Sequence, residues 1–180
     1  AFGFRRLSIQ DLSIAGHQPM CYSNRYWIVF NGEIYNFIEI REELELNGYI
    51  FKTSTDTEVI LAAYEKWGVD CQKKFNGMWA FVIYDLNDNK IFISRDRFGI
   101  KPLYYYLSAE KLIIASEIKS ILKYNDIDTS PNIEYLKNYI KLGGQEHIKE
   151  TAFTNIYRFE YACFIESTIS QISKSGINEV

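Results

Sequence analysis

Asn31, Gly32 and Glu33 form the stretch of this sequence best able to do chemistry. A glycine lets a ligand approach the backbone, so its N–H and a neighbouring carboxamide can present two neutral donors to one point. That pairing is how an enzyme stabilises an oxyanion. A second carboxylate, Asp56, falls in the run Thr53-Ser54-Thr55-Asp56-Thr57-Glu58, and a guanidinium, Arg6, in Arg5-Arg6-Leu7-Ser8-Ile9. Each has a plainer reading. Asn31-Gly32 reads as a turn dipeptide between a strand and a helix, with Asn36 as the helix N-cap. Asp56 reads as the acidic first-turn residue of a helix, contributing about 0.3–1 kcal/mol with the helix dipole. Arg6 reads as an exposed strand cation. For Asn31-Gly32, local chemistry alone favours the plainer reading.

The elements that must position these groups follow from hydrophobic periodicity and breakers. Residues 4–9 alternate as a strand, with Phe4, Arg6 and Ser8 on one face. Residues 26–30 have strand composition. Phe37, Ile40 and Leu44 then share one stripe of a helix over about 37–47, closed by Gly48. Thr55 with Glu58 reads as a capping box opening a second helix, which runs to Trp67 and is closed by Gly68. Its apolar stripe is Ile60, Ala63, Tyr64 and Trp67.

Residues 78–84 are almost continuously apolar, which predicts a strand covered on both faces. Asn87-Asp88-Asn89 turns it into a second strand at 91–93. After the loop 95–102, a further hairpin pairs 103–106 with 112–115. A helix over 116–123 follows, then one opened by Pro131 at its first position, with Ile133, Leu136 and Ile140 on one stripe. A strand over 156–165 ends the pattern. Hairpins with helices inserted predict an α+β layered fold, helices over two antiparallel sheets.

Composition narrows the function. The chain has 180 residues, 47% hydrophobic and 16% aromatic, which predicts one folded domain with a real core. Lys and Arg number 20 against 23 Asp and Glu, mixed along the chain, for a net charge of -3. No basic stripe points to nucleic acid and no polybasic patch to a membrane surface. No apolar run approaches the ~20 residues of a membrane span, and no apolar signal segment follows Arg5-Arg6. Cys21, Cys71 and Cys163 are odd in number, widely spaced and in no CxxC arrangement, which predicts a reducing cytoplasm without disulfides or zinc. With only His17 and His147, no metal site is expected. Phosphate-loop, dinucleotide and HExxH motifs are absent, as is a Ser-Gly-Gly-x-Asp-Ser adenylating loop.

Six segments occur in order: Arg5-Arg6-Leu7-Ser8-Ile9, Gly16-His17-Gln18-Pro19-Met20, Phe30-Asn31-Gly32-Glu33-Ile34-Tyr35-Asn36, Thr53-Ser54-Thr55-Asp56-Thr57-Glu58, the loop from Arg95-Asp96-Arg97-Phe98-Gly99 to Tyr104, and Ala115-Ser116-Glu117. Together they resemble the class II, N-terminal-nucleophile glutamine amidotransferase domain of asparagine synthetases. The resemblance implies an Ntn-hydrolase-like four-layer αββα sandwich of two antiparallel sheets, truncated at its N-terminal strand. It covers residues 1–166, leaving 167–180 as the start of a linker to a synthetase domain.

The implied reaction is hydrolysis of glutamine to glutamate and ammonia, the ammonia serving ATP-dependent amidation of aspartate. Asn31 and Gly32 would form the oxyanion hole, Arg6 would grip the substrate α-carboxylate, and Glu33 and Asp56 would hold its α-ammonium. Backbone groups near Leu7 and Ile9 would complete the site. The nucleophile of such enzymes is an N-terminal Cys. Residue 1 here is Ala, so the chain reads as an internal fragment, inactive by itself. No cofactor is implied in this domain; ATP and Mg²⁺ would belong to the synthetase domain, the expected partner on the same polypeptide. An unpaired sheet edge adds the expectation of a homodimer. Two alternatives stand: the amidotransferase part of another amide-forming ligase, for surface sugars or secondary metabolites, and an amidotransferase-fold scaffold without catalysis.

Overall fold

The computed structural model describes residues 1–5, 14–144 and 148–177. Residues 1–5 carry no regular structure, and the rest of the strand expected over 4–9 lies outside the described residues, as does His147. Strand β1 (Met20–Tyr22) pairs antiparallel with β2 (Tyr26–Ile34). Helices α1 (Phe37–Leu46) and α2 (Asp56–Trp67) follow. The hairpin of β3 (Gly77–Asp85) and β4 (Lys90–Arg95) comes next, then that of β5 (Tyr104–Leu107) and β6 (Leu112–Ala115). The chain closes with α3 (Ile118–Ile121), α4 (Ile133–Leu142), β7 (Ile156–Arg158), β8 (Phe164–Thr168) and α5 (Ile169–Ser175).

The strands make two antiparallel sheets, ordered β1-β2-β3-β4-β8 and β6-β5-β7. One core lies between the large sheet and helices α1 and α2, built on Ile28, Phe30, Leu44, Ile60, Phe81 and Phe92. A second lies between the sheets, around Ala80, Val82, Ile93, Leu103, Tyr105 and Phe159. A third lies on the outer face of the small sheet, where Ile121 of α3 meets Tyr106 and Ile156. The layers therefore run α, β, β, α, as the hairpins and inserted helices predict.

Several expectations need correction. Asn31-Gly32 is not a turn: both residues lie inside β2, which runs to Ile34. A Cβ at Gly32 would collide with the Met78 carbonyl oxygen and stand 2.8 Å from Trp79 Cα, so this glycine serves close strand approach. Asn36 does precede α1, but its side chain caps nothing there. Its carboxamide instead bridges to Lys74 O (3.0 Å) and Asn76 N–H (2.8 Å), tying α1 to the segment before β3.

The expected strand over 156–165 divides into β7 of one sheet and β8 of the other. The helix over 116–123 shrinks to the single turn of α3. Pro131 precedes the N-cap of α4, Asn132, whose side chain accepts from Tyr135 N–H (3.1 Å). Helix α4 has no buried residue, and Ile140 is 83% exposed. Of its expected apolar stripe, Leu136 is half-buried while Ile133 and Ile140 are exposed.

Candidate active site

Helix α2 brings one half of the site into place. Thr55 is its N-cap, the side chain accepting from Glu58 N–H (3.2 Å). Only half of the expected capping box forms, because the Glu58 carboxylate turns to other donors. It accepts from Lys52 N–H, Thr53 N–H and the Thr53 hydroxyl, at 2.7–3.1 Å. This knot fixes the first turn, where Asp56, Thr57 and Glu58 are all buried. Residues 59–64 are buried as well, so the first nine residues of α2 are enclosed on every side, the deep packing that its stripe and further apolar neighbours predict, while Glu65 and Lys66 are exposed.

Strand β2 supplies the other half. β1 pairs only with Tyr26, Trp27 and Ile28, so beyond them the outer edge of β2 has no strand beside it among the described residues. Tyr35 N–H donates to Asn76 O (2.7 Å), and Asn31 stands opposite Ala80. In an antiparallel ladder this parity turns the N–H groups of Phe30, Gly32 and Ile34 away from β3, toward the open edge. Gln18 Oε1 accepts from Phe30 N–H (2.6 Å) and Asp56 Oδ2 from Ile34 N–H (3.0 Å). Gly32 N–H lies between them and finds no acceptor among the described residues.

Asn31 and Glu33 alternate with Gly32, so their side chains share the face toward the second sheet. There the Asn31 amide donates to Ser116 Oγ (3.4 Å), just beyond β6. A cleft of about 810 Å³ opens at this edge and is lined by Asn31, Gly32, Glu33, Asp56 and Arg5, among others. Its volume suits a small-molecule site. Asp56 is 7% exposed; burial pushes its carboxyl up to about 6, against hydrogen bonds from Ile34 and Thr57, and the charge of Glu33 adds to the rise. Two carboxylates facing one cleft, beside two neutral donors, would suit a small ligand carrying both a cation and a polarised carbonyl.

Of the residues singled out from the sequence, Asn31, Gly32, Glu33 and Asp56 come together here. Arg6, Leu7 and Ile9 lie outside the described residues. Gln18, Thr57 and Ser116 also line the cleft. Their segments stand in the sequence motifs, but their part carries little local signal: a small polar residue in a motif says nothing of its burial.

The arrangement defines a class first. Two antiparallel sheets packed between helix layers, with a cleft at one end, are the N-terminal-nucleophile amidotransferase architecture. A solved glutamine phosphoribosylpyrophosphate amidotransferase from Bacillus subtilis shares it, with a TM-score of 0.50 and 25% identity over 58% of this chain and 25% of that one. The chain belongs to the glutamine amidotransferase domain family, whose model matches residues 1–176. Among curated proteins it is 50% identical to asparagine synthetase [glutamine-hydrolyzing] 1 of Bacillus subtilis, over 77% of this chain and 22% of the relative. It is 45% identical to a putative asparagine synthetase [glutamine-hydrolyzing] 2 of Methanocaldococcus jannaschii, over 78% of this chain and 30% of that protein. The chain thus spans less than a third of the length of these relatives. No described helix is long and apolar enough to cross a membrane.

Proposed function

We propose that this chain is the glutaminase part of an ATP-dependent, glutamine-hydrolysing asparagine synthetase. The observation that carries the reading is the meeting of Asn31, Gly32, Glu33 and Asp56, from two separate segments, in one cleft. In this reading Gly32 N–H and the Asn31 amide receive the oxyanion that forms when a thiolate attacks the glutamine side-chain amide. Glu33 and Asp56 hold the α-ammonium, Arg6 the α-carboxylate, and backbone groups at Leu7 and Ile9 the remaining polar atoms. The thiolate would come from an N-terminal Cys outside this chain, its own α-amino group moving the proton. A thioester forms, ammonia leaves, and water releases glutamate.

The amidation of aspartate would fall to a synthetase domain elsewhere on a longer polypeptide, in keeping with the size of the relatives. ATP and Mg²⁺ would be held there, since this sequence has no adenylating loop. The cytoplasm suits the three free cysteines.

The test is glutamate release by the polypeptide carrying its upstream residues. Asn31→Ala should lower kcat by ~10²–10³ without loss of fold. Undiminished activity in that variant would remove the oxyanion assignment.

A further inference from the structure

The edge of β2 is held by a closed path of side chains. Gln18 is 5% exposed, and its Oε1 accepts from Phe30 N–H at 2.6 Å. Its Nε2 donates to Thr57 Oγ1 at 3.4 Å. The Thr57 hydroxyl, 4% exposed as a residue, donates in turn to Asp56 Oδ1 at 3.4 Å. The other oxygen of Asp56 accepts from Ile34 N–H at 3.0 Å, which returns the path to the strand. The donors run in one direction from Phe30 N–H through Gln18 and Thr57 to Asp56, whose carboxylate accepts from both Thr57 and Ile34, so one orientation of the Gln18 amide and of the Thr57 hydroxyl serves the whole path. It starts at the N–H two residues before Gly32 and ends at the N–H two residues after it.

We propose that Gln18 and Thr57 are positioning residues: they brace the edge of β2 from both sides of Gly32 and fix the rotamer of Asp56, so that the Gly32 N–H and the Asp56 carboxylate face the cleft together. This rests on the reading of the cleft as a glutamine site, and adds to it two groups that need not touch the substrate. The brace does two things. It satisfies the flanking strand donors with protein acceptors, which leaves Gly32 as the one donor of the three open to a ligand. It also directs Oδ1 of Asp56 with a hydroxyl, where a freely rotating carboxylate would lose entropy on gripping an ammonium.

A group with only a packing role would be replaced without harm by an apolar isostere. Here the isosteres should fail in a specific way. Thr57→Val keeps the shape and removes both the bond to Asp56 and the acceptor of Gln18 Nε2. Through the lost bond to the carboxylate it should raise the KM for glutamine about tenfold, the scale of one hydrogen bond to a charged group, with kcat changed less than threefold. Thr57→Ser keeps the hydroxyl and should restore most of the loss. Gln18→Leu leaves Phe30 N–H without its acceptor and should lower kcat as well as raise KM.

The measurement is steady-state glutaminase kinetics on the polypeptide carrying its upstream residues, with melting temperature followed in parallel. Thr57→Val with wild-type KM, or Thr57→Ser as impaired as Thr57→Val, would overturn the brace while leaving the glutamine site standing. Wild-type protein that neither binds nor hydrolyses glutamine would instead overturn the functional reading. Hydrogen exchange of the Phe30 amide on this chain gives a second readout: faster exchange in Gln18→Leu supports the brace, and unchanged exchange overturns its Gln18 arm.

Discussion

Burial opposes the charge on Asp56, while its hydrogen bonds from Ile34 and Thr57 favour it. Burial prevails, and the carboxyl rises from its ordinary 3.8 to about 6. The folded chain therefore holds this proton more tightly than the unfolded chain between those two values. The resulting stability is present at the acid end of the window and is lost as pH rises through about 6. Asp56→Asn keeps a carbonyl acceptor and cannot titrate, so it should remove the effect. Urea unfolding at pH 4 and pH 7.5 should show the wild type losing up to about 3 kcal/mol relative to Asp56→Asn across that interval. Parallel pH dependence in the two proteins would refute the assignment. At neutral pH Asp56 is thus held in the charged state that its burial disfavours, which in the proposed reading an ammonium bound in the cleft would offset.

At the scale of the element, the first turn of α2 works as a unit. Thr55 caps the helix, and Glu58 gathers the segment that approaches it through Lys52 and Thr53. Asp56 sits between the two. Thr55→Ala should cost about 1 kcal/mol, the usual scale of an N-cap. Glu58→Ala removes the acceptor of two backbone N–H groups and a hydroxyl, and should cost about 3 kcal/mol. Both should appear as a lower denaturation midpoint at unchanged m-value. Equal costs for the two would mean that Glu58 is no more than a second cap.

The whole molecule is joined at the loop between β4 and β5. Asp96 is 1% exposed and accepts from the N–H groups of Trp79, Phe98, Ile100 and Lys101. Beside it, Arg95 donates to the carbonyls of Gly99, Lys101 and Phe159. Gly99 takes φ +65, and a Cβ there would stand 3.0 Å from Tyr161 Cβ, so the turn is both left-handed and tight. These bonds connect β3 and β4 of the large sheet with the entry to β5 and the exit of β7 in the small one. Asp96→Ala should cost at least about 3 kcal/mol, since several N–H groups lose a buried acceptor together. Calorimetry should show a single transition moved to lower temperature; two separated transitions would mean that the sheets do not depend on this loop for their cooperation.

What the sequence determined by itself is the local part. Thr55 and Gly68 bound α2, the apolar run of β3 with its Asn-rich turn makes a hairpin, and six ordered segments mark the family. Those features are set by neighbours within a few positions, where caps, turns and alternation operate. Tertiary structure decided the rest. Gly32 is strand interior and not turn because the Met78 carbonyl, remote in the chain, crosses it. Its N–H is open to the cleft because β1 stops pairing at Ile28 and because Gln18 and Asp56 take the donors on either side. No local pattern encodes where a neighbouring strand ends or which buried side chain meets which amide, since those are contacts between residues far apart in the chain.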